Sequence, residues 1–429
     1  MKLNKETLIL GFALFALFFG AGNLILPPAL GFFAGWQWYL VAFGFILSAV
    51  GLPLLGIIAH ARLQGSILDF GNKVSPTFSM IFSILIYIIS ISLPAPRTAA
   101  VTHEIAVAPF FKVTGLVTSI IYFSLVFLFV IKRSQVVNNI GKYLTPAILI
   151  LLLAVIIKGL FSSYAPMREP ETELPILAGF FEGYQTFDAI AALVVGGVIL
   201  VSVKLKGPVQ HLEIKKTVTA AAVFAGIALL AVYSGLIYTG AMVNGEFPDN
   251  VSRVQLLSGI SVLNLGDFAG ISLALLVTLA CFTTAVGIVT GTADFMASTI
   301  KRPGIYSITV VIGCVLGVVM GAFSVNRIIE IALPVLMIIY PLTIVLILLN
   351  VIPERFSNKH VVRSVVLVTA ILSLPDALKL YFTEEDLRGI LQWIPLSSFN
   401  LGWVLPALIA FGAANIWERY GAQTKLPRK

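Results

Sequence analysis

Two acidic residues lie within a long apolar stretch near the middle of the chain. Glu182 and Asp188 flank segment 183–187 inside the apolar residues 175–203. A carboxylate in such a stretch is costly, so it usually faces a cavity or a partner and indicates a functional site. Three roles are open to Asp188, namely proton carrier, cation ligand or half of a structural ion pair. The same three roles are open to Glu182, which could also simply line a wet vestibule.

The first apolar stretch contains a second unusual segment, Gly20-Ala21-Gly22-Asn23, which is followed by Pro27-Pro28. Glycine costs about 1 kcal/mol and proline about 3 kcal/mol in a helix interior, so these residues predict an unwound segment. Amides freed by unwinding can bind an anion, and freed carbonyls can bind a cation. The alternative is that the glycines only allow two helices to pack closely.

Adjacent hydroxyls mark a third apolar stretch, where Thr283 and Thr284 follow one another. Hard cations prefer oxygen ligands, so this pair predicts a cation site. Alternatively, each hydroxyl bonds back to its own helix. The only two cysteines, Cys281 and Cys314, have no metal-ligand spacing and are predicted to be core residues.

The composition indicates where these segments lie. Of the 429 residues, 59% are hydrophobic and only 11% are charged, whereas about one quarter of a soluble domain is charged. A spanning helix needs roughly 20 apolar residues, so the chain has room for about a dozen. The apolar runs do not alternate with polar residues, which favours helices over a barrel. The predicted fold class is an all-α integral membrane protein.

Apolar runs between polar breaks predict twelve membrane-spanning helices. They cover residues 7–33, 37–60, 77–96, 115–132, 140–162, 175–203, 217–240, 268–296, 304–323, 329–352, 362–380 and 397–416.

The first and sixth predicted helices contain the two unusual segments. They are five helices apart, so they start on opposite sides of the membrane, as in an inverted repeat with paired broken helices. The predicted organisation is a first repeat (1–162), a second repeat (175–352), two further helices (362–416) and a cytoplasmic tail (417–429).

The basic residues predict the orientation. With both termini in the cytoplasm, most of the Lys and Arg residues fall in cytoplasmic segments, for example Lys5, Arg62, Lys215 and Arg302. The formal charge of +8 is then a consequence of topology, and nucleic-acid binding is not expected. The basic tail is expected to lie near anionic membrane lipid.

Enzymes and channels fit the sequence poorly. A membrane metallohydrolase would carry a His-Glu-x-x-His pattern, but the four histidines, His60, His103, His211 and His360, are all isolated at loops or helix ends. No membrane-embedded Ser–His pair is present either. A channel would need a selectivity ring or filter, which the sequence does not indicate.

The segments resemble one known family in combination. The stretch 11–31, with Phe18-Phe19 and Gly-Ala-Gly-Asn ahead of Pro27-Pro28, is similar to the first span of the bacterial branched-chain amino acid:cation symporters. Residues 96–100 with Glu104, residues 183–194 and residues 280–295 resemble further segments of that family. The resemblance covers essentially the whole chain. It implies uptake of leucine, isoleucine and valine driven by sodium or protons, in the bacterial inner membrane.

That family is in turn similar to transporters with the LeuT-type fold, a 5+5 inverted repeat with broken helices 1 and 6. The resemblance implies sodium ligands at the carbonyls of Ala16, Phe19 and Ala280 and the hydroxyls of Thr283 and Thr284. It also implies that the substrate carboxylate meets the amides around Ala21 and Gly22. Asn23 matches a residue that binds a second sodium in some members.

The chemistry of a zwitterionic substrate assigns the remaining residues. Its ammonium group needs acceptors, such as carbonyls at Phe19 or in the unwound segment of the sixth helix. Its apolar side chain needs apolar walls, for which Phe19 and Phe187 are candidates. The predicted substrate-binding residues are Phe19, Gly20, Ala21, Gly22, Asn23, Tyr184, Gln185, Thr186, Phe187 and Asp188.

Other assignments complete the prediction. Arg97, placed outside the third helix, and Asp294 are expected to form gate or helix-end pairs rather than to contact substrate. No cofactor and no obligate protein partner are expected. The alternative function is proton- or sodium-coupled transport of another small neutral amino acid or a nucleobase on the same fold.

Overall fold

The computed structural model describes residues 5–132, 136–162, 164, 166–170, 173–205, 211–379 and 381–424. The described residues form helices and loops, with no strand among them. The helices are α1 (Lys5–Phe18), α2 (Ala21–Ala34), α3 (Trp38–Ile46), α4 (Leu52–Leu63), α5 (Leu68–Gly71), α6 (Pro76–Ser92), α7 (Pro94–Thr102), α8 (Gly115–Val130), α9 (Val136–Asn139), α10 (Thr145–Phe161), α11 (Pro175–Tyr184), α12 (Asp188–Leu205), α13 (His211–Met242), α14 (Arg253–Leu265), α15 (Ala269–Ile300), α16 (Ile305–Gly321), α17 (Val325–Val351), α18 (Lys359–Leu378), α19 (Glu384–Leu391) and α20 (Val404–Thr424).

The chain divides into two compact units. The larger unit comprises Met1–Gln64 and Tyr87–Ile329. Within it, α1 and α2 pack against α13, α11 packs against α3, α12 packs against α4, and α15 packs against α7 and α16. Its core is a continuous apolar cluster with fully buried aromatic side chains, among them Phe15, Phe45, Phe123 and Tyr233. All the predicted site residues belong to this unit.

The smaller unit comprises Gly65–Ile86 and Glu330–Lys429. Here α18 packs against α20. The Asn350 side chain donates to the Phe70 carbonyl at 3.1 Å, and Lys73 donates to the Ser357 carbonyl at 3.0 Å. The last basic residues of the predicted tail, 425–429, lie outside the described residues.

The helices have the length and surface of a multi-pass membrane protein. Among the described residues, seven helical segments are long and apolar enough to cross a membrane, and the bent pair α11–α12 makes an eighth. Side chains such as Ile121, Leu128 and Ile150 are 59%, 62% and 69% exposed. Apolar faces of this kind are unfavourable in water and suit lipid.

The predicted count of twelve spans and the 5+5 repeat remain predictions. Each predicted stretch coincides largely with helix, but the segment Ala21–Leu63 runs for 43 residues and joins the second half of the first predicted span to the whole of the second. The helices α8 and α16 have only 16 and 17 residues. The stretch 241–267, which lies between the seventh and eighth predicted spans, contains a helix of its own, the 13-residue α14.

Small residues let helices of the larger unit approach at backbone distance. The Cα of Gly240 on α13 faces the Pro28 carbonyl on α2, and Gly31 on α2 faces the Ile237 carbonyl on α13. A side chain at either position would overlap a backbone atom of the neighbouring helix. The α2–α13 contact therefore depends on both glycines, as in close helix packing within membranes.

We expect Gly240→Leu to destabilise the protein, because α2 and α13 must separate to admit the side chain. Overpacking of this kind costs about 1–3 kcal/mol or more. The measurement is thermal unfolding of the purified protein in detergent, with Gly412→Leu on α20 as the control, since nothing lies within 4 Å of a Cβ there. Equal unfolding temperatures for the two variants would contradict the close contact.

Candidate functional site

The first apolar stretch breaks at Phe19 and Gly20, between α1 and α2. The Gly20 amide donates to Asn23 Oδ1 at 3.3 Å, which caps the start of α2. The unwound segment is thus shorter than predicted, because Ala21, Gly22 and Asn23 already form the first turn of α2. That turn presents free backbone amides and the positive end of the helix dipole.

The sixth predicted helix breaks at residues 185–187, and the two halves are bent by 42°. Phe187 adopts a left-handed backbone with φ of 65°, which is uncommon for a bulky residue and indicates a locally strained turn. The Thr186 hydroxyl donates to the Gly183 carbonyl at 2.7 Å. Asp188 follows as the first residue of α12, where the helix dipole favours a carboxylate.

Asn23 joins the two breaks. Its Nδ2 donates to Asp188 Oδ2 at 2.5 Å and to the Tyr233 hydroxyl at 2.5 Å. Asn23 and Asp188 are only 2% and 1% exposed. Thus a neutral amide, rather than a basic side chain, contacts this carboxylate oxygen. The roles of Asp188 as proton carrier or cation ligand remain predictions.

A small cavity lies between the two breaks. Its volume is about 20 Å³, enough for roughly one water molecule and too small for an aliphatic amino acid. The lining residues are Leu17, Phe18, Gly20, Ala21, Asn23, Pro94, Arg97, Thr98, Thr186, Phe187, Asp188, Ala191, Thr284 and Ile288. Six of the predicted substrate-binding residues are among them, and their role in binding remains a prediction.

The other four predicted substrate-binding residues lie beside the cavity. The Phe19 ring stacks between Phe15 and Tyr233, with centroid distances of 5.4 and 6.0 Å. Tyr184 packs on Phe180 of its own helix at 5.2 Å.

Gly22 and Gln185 both contact Arg97, which was expected elsewhere. The expectation that Arg97 lies outside the third helix is wrong, because the helical segment Pro76–Val107 includes it. Its guanidinium donates from Nη1 to the Gln185 carbonyl at 2.8 Å and lies 5.0 Å above the Phe187 ring. The predicted third span ended at residue 96, where the apolar run stops, but the helix α7 begins at Pro94 and continues through Arg97. Proline is tolerated there because it lies in a first helical turn.

Three of the five predicted cation ligands meet where α1 contacts α15. The Thr283 hydroxyl donates to the Ala16 carbonyl at 2.8 Å and to the Ala280 carbonyl at 2.9 Å. The Thr284 hydroxyl donates to the Leu17 carbonyl at 3.4 Å, a residue that the sequence did not single out. The structure brings Ala16, Ala280 and Thr283 together, and their role as sodium ligands remains a prediction.

Glu182 lies in a second polar cluster, at the end of α11 that faces α14. Arg253 on α14 donates from Nη2 to Glu182 Oε1 at 2.8 Å and from Nη1 to Gln185 Oε1 at 3.3 Å. The Glu182 side chain is 21% exposed and that of Arg253 is 37% exposed. This ion pair joins α14 to the broken helix, and it is one of the roles left open for Glu182. The sequence did not indicate Arg253 as the partner, because it lies 71 residues away.

Comparison with known sequences identifies the family. The family model of the branched-chain amino acid transport protein matches residues 3–420. The chain belongs to this family. It is 35% identical to the branched-chain amino acid permease BraB of Bacillus subtilis, over 94% of each chain. It is 33% identical to the branched-chain amino acid transport system 2 carrier protein of Pseudomonas aeruginosa, over 96% of each.

The predicted resemblance is therefore confirmed, and the chain is a branched-chain amino acid transport protein rather than an enzyme. Solved structures of the LeuT-type fold match it as well. They include a Na⁺-coupled sialic acid symporter in a substrate-bound outward-open state (TM-score 0.61, 12% identity, 96% of this chain and 89% of that one). Another is Mhp1 in an inward-facing conformation (TM-score 0.58, 12% identity, 96% and 91%). A third is MhsT with L-phenylalanine (TM-score 0.52, 14% identity, 95% and 98%).

We expect Gly20→Ala to lower uptake strongly while membrane insertion stays intact. Its backbone is extended, with φ of −117°, so alanine is conformationally allowed, but the new Cβ would lie 2.6 Å from Thr284 Oγ1. The strain of about 1–3 kcal/mol falls on the contact between the break and α15. The measurement is initial uptake of labelled isoleucine into proteoliposomes.

The control for that variant is Gly197→Ala on α12, where the nearest atom to a new Cβ is the Tyr87 hydroxyl at 3.9 Å. Wild-type uptake by both variants would show that the break tolerates a side chain facing α15.

We expect Arg253→Gln and Glu182→Gln each to speed hydrogen exchange of the α14 amides by roughly two- to fivefold, since a partly exposed pair is worth about 1 kcal/mol or less. The double variant should exchange no faster than either single variant. The exchange rates are measured by mass spectrometry on the purified protein. The control is Arg168→Gln, which breaks a more exposed ion pair, that of Arg168 with Asp249. Additive effects would contradict a direct tie.

Proposed function

We propose that the protein imports leucine, isoleucine and valine together with sodium, by alternating access. The observation that carries the sodium assignment is the cluster of three neutral oxygens between α1 and α15, from Ala16, Ala280 and Thr283. The Na⁺-coupled sialic acid symporter of the same fold supports the coupling ion, and the two curated relatives support the substrate class.

The chemistry of the oxygen cluster favours a monovalent cation. All three residues are fully buried, and their oxygens belong to two carbonyls and a hydroxyl. Divalent cations in proteins usually take carboxylate ligands, which this cluster lacks. A sodium ion would be coordinated by the two carbonyl oxygens and by a lone pair of the hydroxyl oxygen. The hydroxyl group would keep its proton, which now points to the two carbonyls and would turn away from the ion.

The position of the cluster accounts for coupling. A cation there holds α1 against α15, whereas the substrate bridges the α1–α2 break and the α11–α12 break. Both ligands thus stabilise the same arrangement of the helices, which is the requirement for cotransport by rocking of one bundle against another. The cavity of about 20 Å³ must widen when the substrate enters.

The cavity lining suits a branched aliphatic side chain. Phe18, Phe187, Ala191 and Ile288 contribute apolar surface. The charges present, Arg97 and Asp188, balance one another, as a zwitterionic substrate requires. MhsT, a structure of the same fold, was solved with an amino acid, L-phenylalanine.

Proton coupling is the second candidate, favoured by the burial of Asp188. This carboxylate is 1% exposed and lies on the cavity wall, where it could take up and release a proton as the cavity opens to each side. In that case Asp188, rather than the oxygen cluster, would carry the coupling role.

The proposed location is the bacterial inner membrane, with both termini in the cytoplasm. The relatives come from bacteria, and the basic residues favour this orientation. The twelve helices would then form two inverted repeats of five and a final pair. Membrane lipid is the only partner we propose besides the substrate and the ion.

We expect Thr283→Ala to raise the sodium concentration for half-maximal uptake about tenfold or more, because it removes a ligand, and each tenfold corresponds to about 1.4 kcal/mol. Thr284→Ala should weaken sodium dependence less, while both variants keep their recognition of isoleucine at saturating sodium. Uptake of labelled isoleucine into proteoliposomes is measured with an inward sodium gradient, and with potassium or a proton gradient in its place.

The control is Thr343→Ala on α17, a buried threonine whose hydroxyl only bonds back to the Ile339 carbonyl. Unchanged sodium dependence in Thr283→Ala would remove the cluster from the mechanism. If the wild-type protein takes up isoleucine with a proton gradient alone, the coupling role moves to Asp188.

A further inference from the structure

Arg97 is the one strongly basic group on the wall of the cavity between the helix breaks. Its side chain is 3% exposed, and a guanidinium has five N–H donors. Nη1 donates to the Gln185 carbonyl at 2.8 Å, whereas Nε has no hydrogen-bond partner. A buried guanidinium with so few hydrogen bonds raises the free energy of the folded protein. This indicates that a further hydrogen-bond acceptor binds there.

The guanidinium also faces the first turn of α2. An ideal Cβ on Gly22 would lie 2.5 Å from Arg97 Nη2, so the absence of a side chain at Gly22 makes room for the arginine. The free amides and the dipole of α2 give this turn a partial positive charge. Two positive groups therefore converge at one point, and only an anion placed between them makes both favourable.

Asp188 does not supply that anion in full. Its Oδ2 accepts from Asn23 Nδ2, and it opens α12, on the other helix break. A substrate carboxylate has the planar, two-oxygen geometry that a guanidinium binds through paired hydrogen bonds.

We propose that the α-carboxylate of the substrate is bound by the Arg97 guanidinium together with the backbone amides of the first turn of α2. This inference rests on the proposed function, since it needs an amino acid as substrate. The sequence analysis predicted that only the amides around Ala21 and Gly22 bind the substrate carboxylate, and this inference adds Arg97 to them.

The same contact frees a group for the other end of the substrate. When Arg97 turns from Gln185 to the carboxylate, the Gln185 carbonyl, at the negative end of α11, becomes available to the ammonium group. The ammonium then lies between this carbonyl and Asp188. One side chain thus links recognition of the carboxylate to exposure of the ammonium site.

The experiment compares leucine with leucinol, which keeps the ammonium and the side chain but has no carboxylate. Each competes with labelled isoleucine for binding to the purified protein in detergent with sodium present. A charged, paired hydrogen bond accounts for roughly a 100-fold preference, so wild-type protein should bind leucine about 100-fold more tightly than leucinol.

Arg97→Gln should reduce this preference to about fivefold or less. The affinity for leucine should fall, while the affinity for leucinol stays nearly unchanged. Arg97→Lys keeps the charge without the paired donors and should give an intermediate preference. Gly22→Ala keeps the arginine, but the new methyl group displaces the guanidinium, so this variant should also reduce the preference. Arg168→Gln, an exposed outer-loop arginine, is the control and should keep it.

Three results would overturn the inference. The first is an unchanged preference in Arg97→Gln, in protein whose unfolding temperature shows that it is folded. The second is tighter leucine binding in that variant, which would make Arg97 a plug that competes with the ammonium group. The third is an equal loss of affinity for leucine and for leucinol in both Arg97→Lys and Gly22→Ala. Wild-type protein that binds no leucine, isoleucine or valine would instead refute the proposed function.

Discussion

The hydrogen bond from Asn23 to Asp188 is the contact on which the rest of the site depends. Each broken helix leaves backbone amides and carbonyls without partners, and in an apolar surrounding these groups must find partners within the protein. Asn23 satisfies the Gly20 amide of its own break and reaches Asp188 at the other break. One side chain thereby fixes the separation of the two breaks, and the cavity lies in the space between them.

The electrostatics of the cavity follow from the same arrangement. Helix ends that stop inside an apolar bundle bring partial charges with them, positive at the start of α2 and α12 and negative at the end of α11. Asp188 complements one positive end, whereas Arg97 bonds to a carbonyl at the negative end. The site carries both signs of charge at short range, which matches a zwitterion better than an ion of either sign.

The oxygen cluster of Ala16, Ala280 and Thr283 and the ion pair of Glu182 with Arg253 differ in burial and in chemistry. The oxygen cluster consists of neutral groups that are wholly buried, so the sodium ion that we propose would be held without adding a fixed protein charge to the bundle. The pair of Glu182 and Arg253 is partly exposed, so it contributes little energy and can open and close readily.

The sequence by itself determined the class of protein, the helical stretches and the two breaks, because apolar length, glycine and proline act locally and leave a direct pattern. It also determined the family, through segments spread over the whole chain. It did not give the position of Arg97, because the apolar run of the third predicted helix stops at residue 96, whereas the helical segment continues to Val107. It did not pair Arg253 with Glu182 or place Tyr233 beside Asn23. These contacts join residues far apart in the chain, and only tertiary packing decides which distant side chains share a buried space.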